Sequence, residues 1–380
     1  MLQYGVDRLD EYAPLFQGAR VGLITAPTGR TSANESTIAA LGRRCQLTAL
    51  FGPEHGVRGD CAAGAFVPQY TDAISGLPVY SLYGAQSKRL SAAMLDAFDL
   101  LVYDIQDVGC RYYTFLSTLL YAVEDCAKAG KPLIVLDRPN PLGGETVEGS
   151  VLDPELSSFV GCYALTNRYA LTQGEFARMA NAEGALGCQL TVIPCTGWQR
   201  GMLFPDWQKP WVMPSLNIPR FETALLYAGT CLFEGTNASE GRGTADPFAI
   251  IGAPYVQNAE TLAAQFNALH LPGVVATPQY FEPTTSKHQG TLCGGVHLHV
   301  TDARALRPLE TGLRLLQLFR DSYPEFSLLA PVKAGGRPFI SLLWGRRAFE
   351  NDGWTAQALL NGCAPQQAAF AARKQNYHLY

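Results

Sequence analysis

The chain has 380 residues, and 29 Lys and Arg against 33 Asp and Glu give a net charge of −4. At 47% hydrophobic and 16% charged residues, it is too apolar for disorder and too weakly basic for a nucleic-acid surface. The length suits two or three domains, and no stretch approaches the roughly 18 uninterrupted apolar residues of a membrane span.

The first residues, MLQYGVDRLDEY, carry Asp7, Asp10 and Glu11 and have no cationic start or apolar run. No secretory signal is therefore expected, and a cytoplasmic location is the expectation. Ten cysteines are scattered without a C-x-x-C pair, which suits buried free thiols better than a disulfide frame or a zinc site.

In chain order, Arg20–Thr25 reads as a strand and Ser36–Arg43 as a helix. Gln46–Phe51 is a second strand and Val79–Leu82 a short third. Ser91–Phe98 looks helical, Leu100–Ile105 is a strand, and Thr114–Ala129 is a long helix stopped by Gly130. Pro132–Leu136 is a further strand. Apolar strands alternating with helices predict an α/β fold with a parallel sheet covered on both faces. Leu171–Glu183 opens with a Thr172/Glu175 capping box, and Leu190–Pro194 is a strand candidate. Trp198–Arg220, rich in Pro and Trp, reads as an ordered loop. A smaller α+β region begins near Leu262, with a strand at Gly295–Val300 and a helix at Pro308–Tyr323. The boundary is placed near residue 240.

Polar segments follow the strand ends: Thr25–Gly29, Gly52–Asp60, Gln106–Tyr113 and Asp137–Pro141. In an open parallel sheet these ends share one edge, where ligands bind. Glu54, His55, Arg58, Asp104, Asp107, Arg111, Asp137 and Arg138 are therefore expected to converge. The bland alternative for each is a turn or a helix cap. The sequence has no G-x-G-x-x-G, P-loop, H-E-x-x-H or G-x-S-x-G motif, so no nucleotide or metal cofactor is expected. Carboxylates, arginines, aromatics and amides remain, a mixture suited to carbohydrate chemistry.

A second polar segment, Glu234–Thr244, contains Asn237, Glu240 and Arg242 among glycines that let a ligand approach the backbone. Asn217, between Pro214 and Pro219, is a candidate held toward a cleft. His297 and His299 share one strand face; an exposed face is favoured over a metal pair because no carboxylate lies at a set spacing. His288 is a weak rim candidate. Trp198, Trp207 and Trp211 suit a core or a sugar-stacking wall equally.

The segments FGPEHGVRGD (Phe51–Asp60), YDIQDVGCRYYT (Tyr103–Thr114), LDRPNPLGG (Leu136–Gly144) and LFEGTNASEGRGT (Leu232–Thr244) resemble the motifs of the DUF1343 family, which contains exo-β-N-acetylmuramidases of the NamZ type. VEGSVLDPELSSFVG, PWVMPSLNIP and TALLYAGTCLFEGTN extend the resemblance over most of the chain. It implies a Rossmann-like catalytic subdomain over 1–240, and a smaller carboxy-terminal α/β (α+β) subdomain over 241–380 closing the cleft. It implies release of N-acetylmuramic acid (MurNAc) from the non-reducing end of peptidoglycan fragments such as MurNAc-GlcNAc in cell-wall recycling. The family's proposed catalytic glutamate would fall on Glu54.

The remaining roles come from residue chemistry. His55 and Asp104 join Glu54 as catalytic candidates. Arg58, Arg111 and Arg242 are candidates for the lactyl carboxylate of MurNAc. Asp107, Tyr112, Arg138, Asn140, Asn217, Asn237 and Glu240 are candidates for the rest of the sugar. The partner is a small carbohydrate, with neither nucleic acid nor membrane; a homodimer is left open. The alternative reading is a non-catalytic binder of amino sugars or peptidoglycan fragments on the same fold.

Overall fold

The computed structural model describes residues 1–380 except 60–68, 85–86, 334 and 352. The first part runs β1 (Arg20–Thr25), α1 (Thr37–Gly42), β2 (Gln46–Gly52), β3 (Tyr70–Thr71), β4 (Pro78–Ser81), α2 (Ala92–Leu95), β5 (Leu100–Asp104), α3 (Phe115–Ala129), β6 (Leu133–Leu136), α4 (Gln173–Glu183) and β7 (Leu190–Ile193). It continues through α5 (Phe221–Thr230), β8 (Ile250–Ala253), α6 (Ala259–Asn267), β9 (Val274–Phe281), β10 (Cys293–Val300), α7 (Pro308–Ser322), α8 (Phe339–Trp344) and α9 (Ala356–Lys374).

Among the described residues, seven strands form one sheet in the order β3-β4-β2-β1-β5-β6-β7, parallel except for β3. Its central strands β1, β5 and β6 are apolar and buried along almost their whole length because both faces are covered. Val21, Leu23, Leu100, Val102, Ile134 and Leu136 face one core; Ile24, Leu101, Tyr103, Leu133 and Val135 face the other. The chain leaves β1 toward β2, then returns to place β5 on the other side of β1. The order therefore reverses between β1 and β5, where Thr25 lies in register with Asp104.

The local signals act as the sequence implies. Gly130 ends α3 at φ 63°, and Thr172 and Glu175 cap α4 reciprocally. β8, β10 and β9 form a small antiparallel sheet. Helices α5 and α7 pack against each other at near backbone contact. A Cβ on Gly229 would lie 1.8 Å from the Pro308 carbonyl oxygen, so only glycine fits there. No helix among the described residues is long and apolar enough to cross a membrane.

Candidate active site

A cavity of about 350 Å³ opens beyond the carboxyl end of β2, beside the amino-terminal end of α3. That volume suits a small ligand. Glu54 and His55 enter it from the β2 loop, and the Thr114 hydroxyl donates to Glu54 Oε2 at 2.8 Å. His55 and Gly56 adopt φ 78° and 75°, an arrangement ordinary for glycine and costly for histidine. This turn aims the Glu54-His55 pair away from the sheet. Asp60, at the end of the same motif, lies outside the described residues.

The opposite wall comes from α5 and the segment after it, carrying Glu234, Arg242 and Phe248. Arg242 donates through Nε to Glu234 Oε1 at 3.0 Å and lies 3.3 Å from Glu240 Oε1. Its guanidinium stands over the Phe248 ring, 5.1 Å from the centroid. Lys287 holds the other Glu240 oxygen at 2.8 Å. Burial pushes the Glu234 carboxyl up, against the pull of Arg242 and with help from the negative charge of Glu240. Tyr112, Tyr113 and Tyr227 meet edge-to-face along the floor, and Asn217 reaches the cavity from its proline-bounded loop.

The eight charged residues expected to converge do not do so. Glu54 and His55 line the cavity; the others are taken up by protein partners, as buried charge requires. Asp104 and Arg138 form a buried ion pair, with Arg138 Nη2 at 2.8 Å from Asp104 Oδ2 and the Thr37 hydroxyl on the same carboxylate. This pair fills the reversal point between β1 and β5, leaving a space of only about 30 Å³ there. Arg111 donates to the carbonyls of Ser150, Leu165, Leu343 and Trp344. Burial pushes its guanidinium down to about 10. Asp107 accepts from the Tyr169 hydroxyl and the Gly109 amide, and burial pushes its carboxyl up to about 6. Asp137 accepts from Thr172, Gly174 and Tyr380. Arg58 grips Asp72 through two hydrogen bonds and borders a separate depression.

The neutral candidates divide the same way. The Tyr112 hydroxyl donates to the Ala228 carbonyl while its ring faces the cavity. Asn140 closes its own turn through Leu142 and binds the Leu171 carbonyl. Asn237 is tied to Tyr255, Glu325 and Ser327. Trp198 and Trp207 are core residues, and Trp211 donates to the Ile218 carbonyl; none of the three lines the Glu54 cavity.

Residues 21–222 match the amino-terminal domain of the exo-β-N-acetylmuramidase NamZ family, and residues 225–380 match its carboxy-terminal domain. The chain belongs to that family. It is thereby a glycosidase. A peptidoglycan β-N-acetylmuramidase NamZ from Bacillus subtilis is 43% identical, covering all of this chain and 91% of that protein. Two crystal structures of DUF1343 family proteins from Bacteroides fragilis cover all of this chain and 99% of their own. They superpose with TM-scores of 0.90 and 0.78 at 35% and 27% identity.

Within this NamZ-family chain, several cavity residues escaped the sequence reading. Tyr113 and Thr114 sit in a motif that was noticed, and Glu234 opens another. Phe159 falls in the VEGSVLDPELSSFVG segment without being singled out there, and Tyr83, Lys88 and Phe339 carry no signal, because single residues from separate loops meet only in three dimensions. His297 finds in the fold the carboxylate its sequence spacing lacks: its Nε2 lies 2.7 Å from Asp246, which also binds Arg220. His299 pairs with the Thr277 hydroxyl, and His288 with the Asn237 carbonyl. Among the described residues, no three His, Cys, Asp or Glu side chains are grouped to hold a metal ion.

Proposed function

We propose that this chain removes MurNAc from the non-reducing end of peptidoglycan fragments such as MurNAc-GlcNAc, with Glu54 as general acid. The observation that carries the reading is the position of Glu54. It stands in a cavity of about 350 Å³ at this sheet edge, held by Thr114 and presented by the strained His55 turn. A carboxylic acid so placed protonates the leaving glycosidic oxygen while positive charge develops at the anomeric carbon of the MurNAc ring. Glu234 is, among the described residues, a second carboxyl of the cavity and can face that charge, with Arg242 fixing its orientation. The aromatic floor offers flat apolar surface to a sugar ring. In this reading residues 1–240 carry the acid, and residues 241–380 complete the wall through Arg242, Phe248 and Phe339.

The test is chromophore release from 4-nitrophenyl β-MurNAc, with the β-GlcNAc glycoside as control. Cleavage of the first alone is expected. Cleavage of neither, with MurNAc bound measurably by titration calorimetry, would overturn the release of MurNAc from a β-glycoside as the reaction of this site.

A further inference from the structure

Resting on the muramidase reading, we infer that Lys88 is the residue that recognises the lactyl carboxylate of the sugar. The arginines that the residue chemistry offers for this task are engaged elsewhere. Arg111 is held by four backbone carbonyls, Arg58 grips Asp72 outside the cavity, and Arg242 is held by Glu234 and Glu240. Lys88 differs from all of them. Its ammonium lies in the cavity wall, 3.8 Å from the Tyr83 ring centroid and 4.6 Å from that of Phe159, with no carboxylate partner among the described residues.

The neighbouring residue makes the contrast. Arg89 also stands over an aromatic ring, that of Tyr121, yet it has both Glu124 and Asp125 as counter-ions. Two rings attract the Lys88 cation and hold it in place, but they satisfy its three N–H donors far less well than oxygens do. Phe159 is itself fixed, because the Ser117 hydroxyl of α3 donates to its carbonyl at 2.7 Å. The wall therefore presents a half-buried positive charge with no carboxylate beside it among the described residues. A carboxylate at the 3-position of a sugar whose glycosidic oxygen meets Glu54 supplies one. The same sugar without the lactyl group leaves the charge unanswered, which gives selection for the muramyl over the glucosaminyl sugar.

The experiment compares the wild type, Lys88→Met and Lys88→Arg on 4-nitrophenyl β-MurNAc and on its neutral lactyl-amide analogue, with melting temperatures to confirm folding. The wild type is expected to prefer the acid. In Lys88→Met the kcat/KM for the acid falls about 10- to 100-fold, the range of a charge-assisted hydrogen bond. The loss appears mainly in KM, and the ratio of acid to amide approaches one. Lys88→Arg restores most of the preference. Equal losses on acid and amide, or no loss on the acid, overturn the assignment. If the wild type cleaves neither substrate, the muramidase reading fails separately. The carboxylate assignment is then read from binding of free MurNAc against GlcNAc: loss of that difference in Lys88→Met supports it, and its persistence overturns it.

Discussion

Two regions along the same edge of the sheet use the same residue types to opposite ends. At the reversal point between β1 and β5, Asp104 and Arg138 neutralise each other, Thr37 takes a further lone pair, and a space of only about 30 Å³ is left. One strand over, beyond β2, Glu54 and His55 stand in about 350 Å³, facing Glu234 and Arg242. The topology alone favours the first region as a ligand site. The difference lies in where each carboxylate sits: Asp104 is fully buried against a guanidinium from the next strand and is structure, whereas Glu54 borders an open cavity that a ligand can enter. Membership of the NamZ family says that such a site exists; the partners of each side chain say where it is.

The sharpest way to break this comparison is to exchange an acid for its amide on each side. Glu54→Gln is expected to lower kcat on MurNAc-GlcNAc, whose sugar leaving group must be protonated, by about 10²- to 10⁴-fold, the contribution of a positioned general acid, and to lower it less on 4-nitrophenyl β-MurNAc, whose phenolate leaves without help, with an unchanged melting temperature. Should Glu234→Gln show that loss while Glu54→Gln does not, the roles of the two cavity carboxyls are exchanged.

Arg138→Met should do the reverse. Removing one partner leaves Asp104 charged and buried, which costs about 3 to 5 kcal/mol, read as a shift in the urea midpoint. The fraction that stays folded at low temperature should retain its kcat. A catalytic loss without a stability loss would place the reversal point in the active site after all.

The large sheet was legible because its signals are local. Continuous apolar runs, the Gly130 cap and the Thr172/Glu175 box each act within a few residues, and β1, β5 and α4 fall where those signals place them. The small sheet and the last helix were less so. β9 mixes buried and exposed positions irregularly, and α9 carries Pro365 in its interior, a residue that ordinarily argues against a helix. At the site, Glu54 was legible from its motif, whereas the fate of the other charges was not. Nothing local in Asp104 or Arg138 says that they lie on adjacent strands at the same height, and nothing in Lys88 says that Tyr83 and Phe159 flank it. Pairing is a long-range property, and it decides which charges remain for a ligand.

The taken-up carboxyls leave a trace in pH dependence. Asp107 and Asp137 are pushed up to about 6 by burial, whereas an unfolded aspartate titrates near 3.9. Between these values the folded chain binds more protons than the unfolded one, so stability falls as pH rises from about 4 to 6. Each group contributes about 1 to 3 kcal/mol to that fall. Asp72, held well below the usual carboxylate range by Arg58, acts in the opposite direction and at lower pH. Urea midpoints between pH 4.5 and 7 should show the decline, and Asp137→Asn should flatten it. An unchanged slope in that variant would mean that Asp137 keeps an ordinary pKa.

The smallest expected effect separates two guanidiniums that the sequence offered for the same task. Arg58 follows Glu54 by four residues, yet its Nε and Nη2 reach Asp72 at 3.0 and 2.7 Å, and Asp72 is further held by the Ser75 amide and hydroxyl. The pair closes a turn beside the depression between α1, the start of β2 and residues 74–77, not the Glu54 cavity. Arg58→Gln should therefore cost about 1 kcal/mol, as for a partly exposed ion pair, and leave KM for the MurNAc glycoside within about twofold. Arg242→Gln, which frees Glu234 inside the cavity, should change both kcat and KM. If Arg58→Gln instead raised KM about tenfold while Arg242→Gln left it unchanged, the substrate would lie on the Arg58 side of the β2 loop, and the cavity assigned here would be the wrong one.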